Sequence, residues 1–310
     1  LFTGTDSNYT NRFRMSWVSP DLTSYDDDER LPSWVRKMNS QLRFFHDFRT
    51  GLHRNLAITL GQRIYTPQNR DAKELLTDER PYAGYLYTGV AYHTRSELQL
   101  DTIEIDLGIV GPSAQAEQTQ DAIHDLRNIE KWQGWDNQLR DEPALQMLYE
   151  HKRVLFRQPL VWDLQHDFIG HAGVSLGNVA TYGNFGGEYR LGWDLPNDFG
   201  TSALRPGGDN SAPGRGDPRL STARLPISGV HGFLSLDARW VARDIFLDGN
   251  SFRDSHSVDK EHAVADAAAG VSFLTGRWKV SWAYVVRTRE FEEQPHHQEY
   301  GSMSFSYSWY

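Results

Sequence analysis

The last ten residues, Gly301-Ser-Met-Ser-Phe-Ser-Tyr-Ser-Trp-Tyr310, constrain this chain more than any other stretch. Met303, Phe305, Tyr307 and Trp309 fall on one face of an extended strand, and Ser302, Ser304, Ser306 and Ser308 on the other. Alternation this strict describes a strand with apolar surroundings on one side and polar ones on the other. The same period recurs with charges on the polar side. Over 277–288, Trp278, Val280, Trp282, Tyr284 and Val286 oppose Arg277, Lys279, Ser281 and Arg287. Over 234–243, Leu234, Leu236, Ala238, Trp240 and Ala242 oppose Ser235, Asp237, Arg239 and Arg243, and near the start Phe13, Met15 and Trp17 oppose Arg12, Arg14 and Ser16. A soluble barrel keeps its apolar side chains inside. Arginines inside and aromatics outside describe a membrane barrel, with a polar lumen and aromatic girdles.

Composition agrees with that reading. No stretch approaches the ~18 consecutive apolar residues of a spanning helix. The chain has 10 Trp, 14 Tyr and 15 Phe, yet its mean hydropathy is −0.61. Alternating strands dilute hydropathy in this way, so helical membrane proteins are excluded and barrels are not. The absence of cysteine removes disulfides, thiol nucleophiles and thiolate metal sites. A formal charge of −9 without a basic run gives no footprint for nucleic acid. The opening residues Leu-Phe-Thr-Gly-Thr-Asp are not a signal peptide, and the chain reads as mature or trimmed. A closing aromatic after an alternating strand resembles the terminal strand of bacterial outer-membrane barrels.

Eleven strands are expected, at 9–19, 53–66, 82–93, 97–110, 145–157, 161–177, 179–195, 231–245, 262–275, 277–290 and 299–310, in one domain over 1–310. Bacterial single-chain barrels have even strand numbers, so the expectation is a transmembrane antiparallel β-barrel of about 12 strands, the first lying upstream of Leu1. With a periplasmic C-terminus, residues 67–80 and 111–142 fall outside the cell. The connections 20–52 and 196–229 fall inside and are longer than periplasmic turns usually are. The first contains a helix-like stretch, Leu31 to Leu42, and the second is Gly/Pro-rich and irregular.

Chemistry concentrates in the external segment 111–142. Pro112 and Ser113 suit a helix start, and Glu117 sits where the helix dipole favours an acid. Gln120 and His124 are four apart and share a face. Gln120 can then orient the imidazole, as a general base requires. Glu130 reaches the ring only if the helix ends near Arg127 or Asn128. On chemistry alone, an exposed His on a polar helix is the commoner explanation.

Motifs distributed along the chain add to this. Thr5-Asp-Ser-Asn-Tyr-Thr-Asn11, Gln62-Arg-Ile-Tyr-Thr-Pro67, Asp78-Glu-Arg-Pro-Tyr-Ala-Gly84, Gly108-Ile-Val-Gly-Pro-Ser113, Glu117 to His124, Gly134-Trp-Asp136 and Leu195-Pro-Asn-Asp-Phe-Gly200 occur in this order. Together they resemble the outer-membrane lipid A 3′-O-deacylases, the LpxR-type family. The resemblance implies a barrel with a calcium-dependent site at its extracellular end. It implies Thr10, Gln120, His124 and Glu130 as catalytic residues, and Ca2+ as cofactor. Lipid A of lipopolysaccharide is then the substrate, and a monomer in the outer membrane of a Gram-negative bacterium is expected. Thr10 shares the Arg12, Arg14 and Ser16 side of its strand, so it faces the lumen at the same rim as His124. The family's Asn-Asp pair, expected among the metal ligands, would lie upstream of Leu1, so the metal ligand set is open. Arg12 stands where the family commonly has Gly.

A non-enzymatic barrel, a small porin or scaffold, is the alternative, because inward arginines serve a pore equally well. A pore would scatter Thr10, Gln120, His124 and Glu130 rather than bring them together. A soluble sandwich that binds carbohydrate through Trp is a third reading, which two aromatic girdles would exclude. Gly173-Val-Ser-Leu-Gly177 spells the nucleophile elbow of α/β-hydrolases but lacks the strand-turn-helix context, so Ser175 is not expected to be a nucleophile.

Overall fold

The computed structural model describes residues 11–45, 52–201, 211–214, 216–220 and 228–309, without the side chains of Asn11, Arg12 and Phe45. In chain order the elements are β1 (Asn11–Val18), α1 (Ser33–Gln41), β2 (His53–Tyr65), β3 (Ala83–Arg95), β4 (Gln99–Val110) and α2 (Ala116–Arg127). Next come β5 (Glu142–Pro159), β6 (Leu164–Gly177), β7 (Ala180–Trp193), β8 (Gly229–Asp244), α3 (Ile245–Asp248), β9 (Ala263–Thr275), β10 (Trp278–Arg287) and β11 (Gln298–Tyr307). Each strand pairs antiparallel with the next, giving one sheet in the order β1 to β11. Every strand expected from the alternation is present, with ends shifted by a few residues.

The register places the charged positions on one face. Arg14 pairs across to Gly61, Gly61 to Tyr87, Gly89 to Asp106, and Asp106 to Gln146. On that inner face Arg14 meets Glu104 at 2.9 Å, and His171 meets Asp237 at 2.8 Å. Arg239 and Arg287 both reach Asp266 at 2.6 Å. An unpaired charge in such a place would cost several kcal/mol, roughly 3–5 for a broken buried pair, and here the charges are matched. The outer face carries Phe13, Met15, Leu60, Phe185, Leu234, Trp240, Trp278, Trp282 and Phe305, all exposed. Arg277 departs from the inward expectation. It stands in the two-residue turn between β9 and β10, exposed, where the strand parity no longer applies.

The two long connections have separate uses. The first packs Leu22, Tyr25, Leu31 and Val35 against Leu56 and Tyr92, on the outer side of β2 and β3. The second enters the lumen at the end opposite α2. Asp198 accepts from Arg190 of β7 at 2.6 Å, Lys279 of β10 at 2.7 Å and Arg219 at 3.1 Å. Lys152 of β5 donates to the Phe199 carbonyl at 3.5 Å and Arg95 of β3 to that of Pro213 at 3.4 Å. Contacts to β3, β5, β7 and β10 place the described parts of this segment, 196–201, 211–214 and 216–220, inside the lumen. That explains a connection too long for an ordinary turn.

Candidate active site

The site is assembled where β4 gives way to α2. Gly111 has φ +110, and a Cβ there would lie 2.6 Å from the Arg140–Asp141 peptide, so glycine is required at this turn. Pro112–Ala114 form a single 3-10 turn and Gln115 adopts a left-handed conformation, so α2 starts at Ala116, later than Pro112 and Ser113 suggested. Gly84 of β3 lets the helix dock, since a Cβ at that position would lie 2.5 Å from the Ala116 Cβ. Gln62 Nε2 donates to the Ala114 carbonyl at 2.7 Å. Gln62, Ile64 and Gly84 belong to the outward parity of their strands, opposite to Gly61 and Tyr85. The helix therefore lies against the outer side of the wall at the rim, and not over the lumen.

Ala116, Gln120 and His124 form the buried stripe of α2, spaced by four. The opposite face is acidic. Glu117 is half-buried, and that burial, with Asp121 and Asp136 nearby, raises its carboxyl above the ordinary value. Asn128 takes φ 53 and ends the helix, and Ile129 N–H returns to the His124 carbonyl at 2.9 Å. This stop is the condition that Glu130 needed. The group that arrives, however, is its main-chain carbonyl, 2.8 Å from His124 Nδ1. A carbonyl only accepts, so Nδ1 carries the hydrogen, and in the neutral ring Nε2 holds the lone pair. Trp132 stands edge-on to the imidazole with centroids 5.3 Å apart.

The other expected residues are placed differently from the simplest reading. The Glu130 carboxylate is 73% exposed and pairs with Arg70 at 2.6 Å. Gln120 is buried on the same stripe as His124, but its Oε1 accepts from Trp135 Nε1–H at 3.0 Å. Thr10 lies outside the described residues. Ser175 is a buried strand residue that receives a bond from Gln146 at 2.6 Å and donates to the Ala180 carbonyl at 3.2 Å. Sequence reasoning missed Trp132, Trp135 and Arg70. The Gly134-Trp-Asp136 motif was visible, but nothing in it told which side chain the indole meets.

In the loops at the same end, Asp259, Glu292 and Glu293 hold three exposed carboxylates within 4.8 Å of one another, a group that could bind a metal ion. It is separate in sequence from the α2 segment.

Comparison with solved structures finds LpxR from Salmonella typhimurium, with a TM-score of 0.71 at 16% identity, covering 97% of this chain and 90% of that one. No curated protein matches by sequence. A family model described as outer membrane protein LpxR matches residues 1–309. With that match extending over all but the last residue, this chain belongs to the LpxR family of outer membrane proteins.

Proposed function

We propose that this chain removes the 3′-linked acyl chains of lipid A by ester hydrolysis, with His124 as the general base. The observation that carries the reading is the hydrogen bond from His124 Nδ1 to the Glu130 carbonyl, which leaves Nε2 as the basic nitrogen. Nε2 takes a proton from water, and the water oxygen bonds to the ester carbonyl carbon. The bond from that carbon to the sugar oxygen then breaks, the proton passes to this oxygen, and a fatty acid and a free hydroxyl result. General-base help of this kind is worth about 10²–10⁴ in rate. Within this reading the α2 end faces the cell exterior, where the outer leaflet presents the ester bonds beneath the sugar headgroup, and the barrel works as a monomer.

Calcium enters through the family. A calcium ion takes about six to eight oxygen ligands. Near His124, Gln120 Oε1 is taken by Trp135 and one oxygen of the Glu130 carboxylate by Arg70. These two side chains alone do not make a calcium cage, and no step above runs through a metal.

The test is His124→Ala in the full chain, with lipid A analysed by mass spectrometry at matched barrel levels. Loss of 3′ deacylation with the barrel intact is expected, and deacylation at the wild-type rate refutes the reading. The pore alternative loses support from the segment around Asp198, which enters the lumen.

A further inference from the structure

The two ends of the Gln120 side chain are treated differently. Its Oε1 accepts from Trp135, whereas its Nε2 is buried and has no hydrogen-bond partner among the described residues. Chemistry settles which end is which. An indole N–H only donates, so the oxygen must face Trp135 and the NH2 must face away. Buried donors without acceptors are rare in native proteins and call for an explanation. Trp135 has little freedom to release the amide. Its ring is buried and packs on Tyr82 with centroids 5.0 Å apart. The preceding Gly134 sits so close to Tyr82 and the Ala72 carbonyl that a Cβ would lie 2.7 and 2.8 Å from them. Gln120 and His124 are one helical turn apart on one buried stripe, so the two residues are neighbours on the same face.

We infer that Gln120 Nε2 receives the carbonyl oxygen of the scissile ester, and that Trp135 is a positioning residue that holds the amide with its NH2 toward the substrate. This rests on the ester-hydrolase reading above. As the water oxygen bonds to the carbonyl carbon, the π pair of the C=O moves onto oxygen, and the amide N–H bonds to it strengthen. When the bond to the sugar oxygen breaks, that pair returns to the carbonyl. Gln120 gains and loses no proton. A preorganised donor in a water-poor site, aimed where charge develops, acts on the transition state more than on the bound ester. The opposing explanation is that Gln120 serves only as an anchor for the Trp135 N–H.

Gln120→Glu separates the two, because it keeps an oxygen for Trp135 and replaces the donor by an acceptor. In the full chain in detergent with lipid A, kcat for release of 3′-linked chains should fall by about 10²–10³ with KM little changed. Trp135→Phe keeps the ring packing and frees the amide to turn over, so a smaller loss in kcat is expected. Its pH–rate profile should keep the wild-type acid limb, because the Glu130 carbonyl sets His124 without Trp135. Added to Gln120→Glu, Trp135→Phe should cost nothing more. A wild-type kcat in Gln120→Glu overturns the donor role. Losses that multiply in the double variant, or a shifted acid limb, overturn the positioning role. Should Gln120→Glu fail to fold, Trp135→Phe decides alone, and an unchanged kcat there overturns the proposal. His124→Ala is the control: activity surviving it defeats the underlying site, whereas its loss beside a fully active Gln120→Glu defeats this inference only.

Discussion

His124 Nδ1 is held by the main-chain carbonyl of Glu130, while the carboxylate of the same residue turns outward to Arg70. The imidazole is thus oriented by backbone, which no side-chain substitution at position 130 removes. Glu130→Gln should keep deacylation within about threefold of wild type, whereas His124→Ala should lose about 10²–10⁴. Both are read as 3′-acyl release from lipid A at equal barrel levels. A Glu130→Gln protein as inactive as His124→Ala would show that the carboxylate takes part.

The docking of α2 depends on the missing side chain at position 84. Gly84→Val would bring a Cβ to 2.5 Å from that of Ala116, and neither atom belongs to a flexible side chain that can give way. Overpacking of this sort costs about 1–3 kcal/mol and should be relieved by lifting the helix from the wall. The expected result is faster limited proteolysis within 111–141 and a loss of activity above tenfold (~1.4 kcal/mol in transition-state terms). An active, protease-resistant Gly84→Val protein would mean that the helix does not need this contact.

Asp198 anchors the segment that enters the lumen. Burial alone would raise its carboxyl, but Lys279, Arg190 and Arg219 outweigh burial and hold it well below the usual carboxylate range. The folded value lies below the unfolded one, about 3.9. The stabilisation is therefore complete above about pH 4 and is lost as pH falls through the depressed folded value. Protease resistance of the 194–228 segment should stay constant from neutral pH to about pH 4 and decline only below. Asp198→Asn should weaken it above about pH 4, by about 3–5 kcal/mol, since three cations lose their shared partner, and the difference from wild type should shrink below that pH. An Asn variant as resistant as wild type would refute the anchor.

Leu236 lies mid-way along β8 on the outer face and is 66% exposed. On a water-soluble surface Leu236→Arg would change stability by no more than about 0.5 kcal/mol. Facing lipid near mid-bilayer it should cost about 2–4 kcal/mol, measured by denaturant unfolding from vesicles. A neutral result would contradict a lipid-facing wall.

Much of this was legible beforehand, because strand parity is local. A period of two along Trp278, Val280 and Trp282 reports which face is apolar without any knowledge of the neighbouring strand. Eleven strands were countable for that reason. Arg277 broke the pattern because a turn residue has no parity. The stripe of Gln120 and His124 was legible too, from the helical period. Contacts between Trp135 and Gln120, or Trp132 and the imidazole, were not. They join residues that share no period, across a chain reversal whose shape depends on Asn128 in a left-handed conformation.

The sequence by itself determined the strands, their inward charges, and the pairing of Gln120 with His124 on one helix face, because each follows from the repeat of a single backbone geometry. Only the tertiary structure decided that α2 lies outside the wall, that a carbonyl and not a carboxylate orients His124, and that the described residues around Asp198 enter the lumen. Those outcomes depend on which atoms meet when separate segments pack, and hydrogen-bonding groups on backbone and side chain compete there with no trace in spacing. Glu130 shows the division most clearly: its position in the chain was readable, and the atom it offers was not.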